Sequence, residues 1–201
     1  FFDLIFVVAI ARAAGALHHE LAADHVLDGI TGFLGVFFAI WWAWMNFTWF
    51  ASAYDCDDVV YRLLTFTIMA GSLMLAAGIP DLFDDGQSPL AVAGYAVMRF
   101  AMVAMWLRAA ASHPEGRGTA LTYAVGIAGV QVLWIARLAV PPSWYVPSFF
   151  LLVGLELLVP VLAERSGLQL ELEVLESRLR YLVERGNLAR SPRESHARTI
   201  A

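Results

Sequence analysis

Six apolar stretches follow one another along the chain, and each approaches the length that crosses a bilayer. They cover residues 2–17, 28–52, 62–80, 90–110, 119–140 and 147–163. A hydrocarbon core about 30 Å thick takes roughly 20 helical residues to cross. Short connectors rich in proline, glycine or acidic residues separate the stretches, which is typical of antiparallel helices in a compact bundle. The pattern predicts an all-α polytopic membrane protein, with residues 1–165 forming a bundle of six transmembrane helices.

The hydrophobic pattern changes after the sixth stretch. Leucines recur there with a 4-3-4-3 spacing, at Leu168, Leu172, Leu175, Leu179 and Leu182. This spacing predicts a cytoplasmic amphipathic linker helix over residues 166–186. Such a helix can pair with a copy of itself, pack on the cytoplasmic face of the bundle or lie among the lipid headgroups. Its length, below three heptads, favours packing or a linker role, and the polar residues 187–201 predict a flexible tail.

Composition excludes several classes of protein. The chain has 60% hydrophobic and 15% charged residues, too apolar a mixture for the polar surface of a soluble domain of 201 residues. Its net charge of −5 and scattered arginines offer no basic stripe for nucleic acid. The single cysteine, Cys56, excludes an internal disulfide and a cysteine-based metal cluster. Because no nucleophile with a matching base, phosphate loop or zinc-protease motif is present, we expect no enzyme, no cofactor and no metal site.

Of the charged residues in the apolar stretches, four lie away from the connectors: Asp3, Arg12, Arg99 and Glu156. A charge inside a bilayer costs several kcal/mol, about 2.5–3.5 on insertion scales, unless it meets water, a cation or a partner. Pairing across the bundle would join Arg99 to Glu156, or Arg12 to Glu156. The four residues therefore predict either structural bridges or the charge network of a transport path. Asp3 also fits a carboxylate at a helix N-terminus near the interface.

The second apolar stretch holds an unusual density of aromatic residues between positions 41 and 50. The residues of interest are Trp41, Trp44, Asn46, Thr48 and Trp49. The tryptophans and Thr48 approach one helical face by the i, i+3, i+4, i+7 rule, and Asn46 and Thr48 offer polar atoms. They predict either an interface anchor with packing, or an aromatic wall of a pore or ligand pocket.

Acidic and basic residues at the connectors predict the topology. Arginines lie close to the connectors after the second, fourth and sixth stretches, at Arg62, Arg108, Arg117 and Arg165, whereas the connectors after the first and third stretches are acidic. Arg137, near the end of the fifth stretch, is the exception to this pattern. The positive-inside rule therefore places both ends of the chain in the cytoplasm. Asp57 or Asp58 is expected to cap the third helix.

The same residues carry a family resemblance. Phe1 to Val7 open the first helix as Phe-Phe-Asp-Leu-Ile-Phe-Val, residues 41–49 contain Trp-Trp-Ala-Trp and Phe-Thr-Trp, and Asp57-Asp58 is followed by Arg62-Leu63-Leu64. With residues 77–80 and 95–99, these motifs resemble the bacterial low temperature requirement protein A (LtrA) family over about residues 1–165. The resemblance implies a longer protein, so that the polar tail would lead into a second membrane half. It also implies a bacterial inner-membrane protein connected with growth in the cold.

The opening helix is loosely similar to that of a family of six-span potassium channels. This similarity and the charges inside the spans rank two hypotheses about function. The first is a channel or transporter for an ion or small solute, with membrane lipid, a monovalent cation, and a second half or second copy of the protein as partners. The alternative is a non-transporting membrane protein that binds lipid or a partner in cold or stress adaptation.

Overall fold

A computed structural model of the protein describes residues 1–54, 56–84 and 86–198, and within these ranges the regular structure is helical throughout. The helices are α1 (Phe2–Ala22), α2 (Val26–Ala53), α3 (Val59–Ala77), α4 (Ile79–Asp84), α5 (Pro89–Ser112), α6 (Arg117–Ala136) and α7 (Tyr145–Arg198). Short 3-10 turns at Arg137–Ala139 and Pro142–Trp144 join α6 to α7. Every helix except α4 is long and apolar enough to span a membrane. The predicted all-α fold with six spanning helices is confirmed.

Helix α7 continues well beyond the sixth apolar stretch. It is one helix of 54 residues, and it passes from the membrane-spanning part into residues 166–186 without a break. The five leucines of the heptad pattern are each more than half exposed. Helix α7 also includes residues 187–198, and residues 199–201 lie outside the described part of the chain. The amphipathic linker role and the flexibility of the tail stay predictions.

Helix α5 lies at the centre of the bundle. It packs along α3 on one side and α6 on the other, and 12 of its 24 residues are buried. Helix α1 packs on α2 and α3, and α6 packs on α7. Helices α2 and α7 are also in contact, since Trp42 reaches Glu156 and the Cα of Gly35 faces the aromatic ring of Phe149. The two residues of each contact are 114 positions apart in the sequence, so α2 and α7 run parallel with a fixed register.

The surface of the bundle is apolar, and its interior contains charge. Large hydrophobic side chains point outward along the spanning helices, among them Leu63, Phe66, Val125, Phe150 and Leu151. Arg99, Gln131 and Glu156 are instead fully buried. Most buried side chains are apolar, as in a soluble domain, but the apolar outer surface differs from that of a soluble domain and is what a hydrocarbon solvent requires. The chain is therefore a multi-pass membrane protein.

Helices α3 and α5 touch through their backbones. A Cβ atom added at Gly94 would lie 2.4 Å from the Leu75 backbone nitrogen and 2.6 Å from the Gly71 carbonyl oxygen. Backbone atoms cannot turn away as a side chain does, so only glycine fits at this crossing. Small residues of this kind let helices approach closely in lipid, where packing rather than hydrophobic burial holds them together.

Substituting Gly94→Ala should therefore destabilise the bundle by about 1–3 kcal/mol, because the added methyl group forces α3 and α5 apart. The matched control is Gly129→Ala on α6, where an added Cβ meets no atom within 4 Å; that change should alter stability by no more than about 1 kcal/mol. Thermal unfolding of both variants in one detergent is the measurement. Equal melting temperatures would contradict the assigned crossing.

Asp58 links two helices at one end of the bundle. It is the N-cap of α3, and its Oδ1 accepts a hydrogen bond of 2.8 Å from the Tyr61 backbone nitrogen. The same carboxylate pairs with Arg108 of α5, whose Nη1 lies 2.8 Å from Oδ1. These hydrogen bonds hold the pKa of Asp58 below its ordinary value, the bond from Arg108 contributing most. The predicted capping by Asp57 or Asp58 is thus confirmed for Asp58.

This link should make stability depend on pH. Because the folded-state pKa of Asp58 is lowered, its contribution is complete above the ordinary value of 3.8 and is lost as the pH falls through the folded-state value. The Asp58→Asn variant should lose less stability on acidification, because its amide does not titrate but can still cap α3. We would compare melting temperatures of wild type and variant from about pH 7 downward, with Asp28→Asn as an exposed control. Parallel curves for wild type and Asp58→Asn would contradict the assignment.

Candidate functional site

A buried ion pair lies in the middle of the bundle. The guanidinium of Arg99 on α5 donates from Nη2 to Oε2 of Glu156 on α7. The two side chains are 1% and 0% exposed, so water does not screen the pair. Of the two pairings considered from sequence, the structure forms Arg99 with Glu156 and does not form Arg12 with Glu156. Taking two charges out of water costs several kcal/mol per ion, and only good geometry with further hydrogen bonds offsets it.

Two aromatic side chains supply those further hydrogen bonds. The indole Nε1 of Trp42 donates to Glu156 Oε2 at 2.9 Å, and the hydroxyl of Tyr95 donates to Oε1 at 3.0 Å. Trp42 comes from α2 and Tyr95 from α5, one turn before Arg99. The Tyr95 ring also lies 5.8 Å from the guanidinium carbon of Arg99. Each oxygen of Glu156 is therefore held by a donor, and the carboxylate joins α2, α5 and α7.

Some polar atoms at this level of the bundle have no partner among the described residues. These are Nε and Nη1 of Arg99, and both amide atoms of Gln131 on α6. Ring contacts of Trp106 with Tyr123 and of Tyr95 with Trp134 fix the register of α5 against α6. In that register Gln131 lies level with Arg99. The centre of the bundle thus holds an ion pair together with donors and an acceptor that the protein does not use.

The other two charges of the predicted network lie away from this pair. Asp3 is exposed, and its Oδ1 accepts a 2.8 Å hydrogen bond from Nε1 of Trp44 on α2. Arg12 lies near the middle of α1 with an exposed side chain, and the described residues supply no hydrogen bond or ion-pair partner for it. The structure thus separates the four residues into one buried pair and two outer positions.

The aromatic residues of α2 divide between two faces of the helix. Asn46 and Trp49 lie on the same face as Trp42, since positions 42, 46 and 49 follow the i, i+4, i+7 spacing. Asn46 is buried and donates to the Trp42 carbonyl at 2.8 Å, and Trp49 packs edge-on against Trp42. The other predicted residues, Trp41, Trp44 and Thr48, lie on the adjoining face, where Trp44 meets Asp3. No single wall contains all five.

Sequence reasoning missed three residues that complete the site. Trp42 stands inside the aromatic run but was assigned no role, Tyr95 lies four residues before Arg99, and Gln131 is an isolated amide in the fifth apolar stretch. The i, i+4 spacing of Tyr95 and Arg99 was a readable signal, because it places both side chains on one face of a helix. Trp42 had no such signal, since its neighbours are also tryptophans. Among the described residues, no three His, Cys, Asp or Glu side chains gather as metal ligands would.

Comparison with known proteins places the chain in a family. The sequence model of the family described as bacterial low temperature requirement A protein (LtrA) matches residues 1–188. An uncharacterized protein of Rhizobium meliloti (strain 1021) is 29% identical over 99 residues. That match spans 49% of this chain but only 23% of the relative, which is a much longer protein. No solved structure matches the chain.

Removing one partner of the buried pair should be far more damaging than removing both. Glu156→Leu leaves the Arg99 guanidinium buried without its carboxylate, which costs about 3–5 kcal/mol. The double variant Arg99→Leu/Glu156→Leu should recover most of that loss, because no unpaired charge remains. Melting temperatures and monodispersity in detergent would measure both, with Glu173→Gln on the exposed part of α7 as control. A double variant no more stable than Glu156→Leu would contradict this account of the pair.

Proposed function

The chain belongs to the bacterial low temperature requirement A (LtrA) family, and from that premise we propose that it moves an ion or small solute across the bilayer. The observation that carries the proposal is the Arg99 and Glu156 pair, buried among helices whose outer surface faces lipid. Charged residues inside a membrane are expensive, and they commonly mark a substrate or ion path. Under the proposal, the ion or solute passes this charged pair as it crosses the membrane.

The hydrogen bonds of Glu156 support this role. Its carboxylate is held by Trp42 of α2 and by Tyr95 and Arg99 of α5, while it is itself carried by α7. A monovalent cation or a proton arriving at Glu156 would compete with these donors for the same two oxygens. Weakening one bond would therefore loosen the contact between two helices, which couples the charge of Glu156 to helix position.

The unused polar atoms support the proposal as well. Nε and Nη1 of Arg99 are donors, and the amide of Gln131 offers a donor and an acceptor at the same level. A buried polar group without a partner costs about 1–3 kcal/mol, so a hydrophobic residue of similar size would serve packing better. A passing polar solute or hydrated ion would form hydrogen bonds with these atoms.

Asp3 and the connector charges suggest how the path is oriented. Asp3 is exposed and lies at the end of the bundle where α2 finishes and α3 begins, as its bond to Trp44 shows. Arginines concentrate at this end, and because of the positive-inside rule we assign it to the cytoplasmic side of the inner membrane. Under the proposal, the carboxylate of Asp3 attracts cations to the cytoplasmic mouth.

Arg12 points to a contact outside the described bundle. An exposed arginine in the middle of a spanning helix requires a polar or acidic group on its lipid-facing side. We propose that this group comes from a second membrane half of the same protein or from a second copy. The much greater length of the Rhizobium relative agrees with the first source.

The alternative is a non-transporting protein that binds lipid or a partner in cold or stress adaptation. The exposed leucines of α7 favour it, because they form an apolar stripe of the kind that binds a partner helix or a membrane surface. Under this alternative the buried pair is a structural bridge, and substitutions at the pair change stability without changing any flux.

Ion flux through proteoliposomes containing the full-length protein separates the two. We expect flux of potassium, sodium or protons, and at least a tenfold loss, about 1.4 kcal/mol, in Glu156→Gln and in Asp3→Asn. Glutamine keeps the shape of the side chain but not its charge, and Asp28→Asn is the control for Asp3→Asn.

Folding must be kept apart from flux in this experiment. Trp42→Phe removes one hydrogen bond to Glu156 and leaves both charges in place, so it should fold normally yet alter the rate. Trp144→Phe, an exposed site in a turn, is its control. Absence of flux for every ion in well-folded wild type would reject the transport proposal and leave lipid or partner binding.

A further inference from the structure

A second polar feature lies closer to the end of the bundle than the buried pair. It is a cavity of about 340 Å³ between α2, α5, α6 and α7. Its lining includes Asn46, Trp49, Trp106, Tyr123, Pro160 and Glu164. The volume lies within the range of small-molecule sites in proteins. The residues that bond to Glu156 do not line this cavity, but Asn46 and Trp49 of its lining contact Trp42, so it adjoins the site described above.

Three of the residues that line the cavity are aromatic: Trp49, Trp106 and Tyr123. The rings of Trp106 and Tyr123 stack at 4.2 Å with an angle of 5° between their planes. Trp49 of α2 also lines the cavity and is 45% exposed, so part of its ring is free to meet a ligand. The indole nitrogen of Trp106 is buried and has no acceptor among the described residues. Because Trp106 and Tyr123 are only 6% and 5% exposed, the ring surface that is open to a ligand is mainly that of Trp49.

Among the described residues that line the cavity, one is charged: Glu164, which is exposed. Its Oε1 accepts a 3.0 Å hydrogen bond from the Tyr123 hydroxyl. No arginine or histidine whose side chain the structure describes lies within 4 Å of it, in contrast to the fully paired Glu156. A carboxylate beside aromatic faces, without a protein cation to neutralise it, has the charge pattern of a site for a cation.

The chemistry of the lining selects the kind of cation. Calcium takes six to eight oxygen ligands and magnesium requires an octahedral set, whereas Glu164 is the only carboxylate among the described residues of the lining. An ammonium group with carbon substituents is weakly hydrated and is attracted to aromatic faces, most strongly to tryptophan. We propose that this cavity binds a small organic cation, a protonated amine or a quaternary ammonium, between Trp49, the Trp106 and Tyr123 stack, and Glu164.

The site is aligned with the buried pair along α7. Positions 156, 160 and 164 follow the i, i+4, i+8 spacing, so Glu164 lies two turns, about 12 Å, from Glu156 on the same face. Pro160 lies between them and has no backbone N–H, which leaves the carbonyl of Glu156 without its helical hydrogen bond. Binding at the cavity does not depend on transport, so this inference goes beyond the proposed function.

Calorimetric titration of tetramethylammonium into the full-length protein in lipid nanodiscs tests the site. We expect saturable binding to one site per chain, with affinity reduced at least tenfold, about 1.4 kcal/mol, in Glu164→Gln and in Trp49→Ala. Glu173→Gln, on the exposed part of the same helix, should bind as wild type does. Melting temperatures of the variants check that the bundle is intact.

A neutral competitor distinguishes a cation site from an apolar pocket that does not select for charge. Tert-butanol resembles tetramethylammonium in shape but has no charge, so it should not displace it. Equal affinity for the two compounds, unchanged affinity in Glu164→Gln, or no saturable binding by well-folded wild type would each overturn the proposal. Because the readout is binding, none of these outcomes depends on whether the protein conducts ions.

Discussion

The rest of the bundle is organised around one carboxylate that has to stay satisfied in a place without water. Glu156 is fully buried on α7, and its three donors come from α2 and α5. Leaving either charge of a buried pair alone costs about 3–5 kcal/mol, which is comparable to much of the net stability of a domain. The positions of these helices are therefore constrained to those that keep Arg99, Tyr95 and Trp42 within reach. Hydrocarbon outside the bundle cannot impose such a constraint, because it accepts any apolar face equally well.

Packing against the other helices holds Arg99 and Glu156 in the positions that their ion pair needs. The backbone contact of Gly71 with Gly94 locks α5 against α3, and stacked rings lock it against α6. The common offset of the α2 and α7 contacts keeps Trp42 level with Glu156. A displacement of one residue along α7 would be 1.5 Å with a turn of about 100°, enough to carry the carboxylate out of the site. Close packing and the polar centre thus depend on each other.

The sequence predicted the fold well because hydrocarbon thickness acts on each span separately. Span length, connector composition and the Asp58 cap are local properties, and each predicted span corresponds to a helix, although the third ends at Ala77 and a separate helix, α4, begins at Ile79. The partner of Glu156 is a different matter, since choosing between Arg12 and Arg99 requires knowing which helices are neighbours. Trp42 was missed for the same reason. Four tryptophans within nine residues look alike until contacts with α7 fix the rotation of α2.

Two carboxylates of α7, those of Glu156 and Glu164, differ in a way that sequence alone could not show. Glu156 is neutralised by Arg99 and buried, whereas Glu164 lies at an aromatic cavity without a described cation beside it. A cation approaching from that end would meet the unneutralised carboxylate first and the compensated one about two turns later. Attraction is then strongest at the mouth, and further entry requires competition with Arg99. Under the two proposals, selectivity resides at Glu164 and its aromatic neighbours, while the barrier resides at the buried pair.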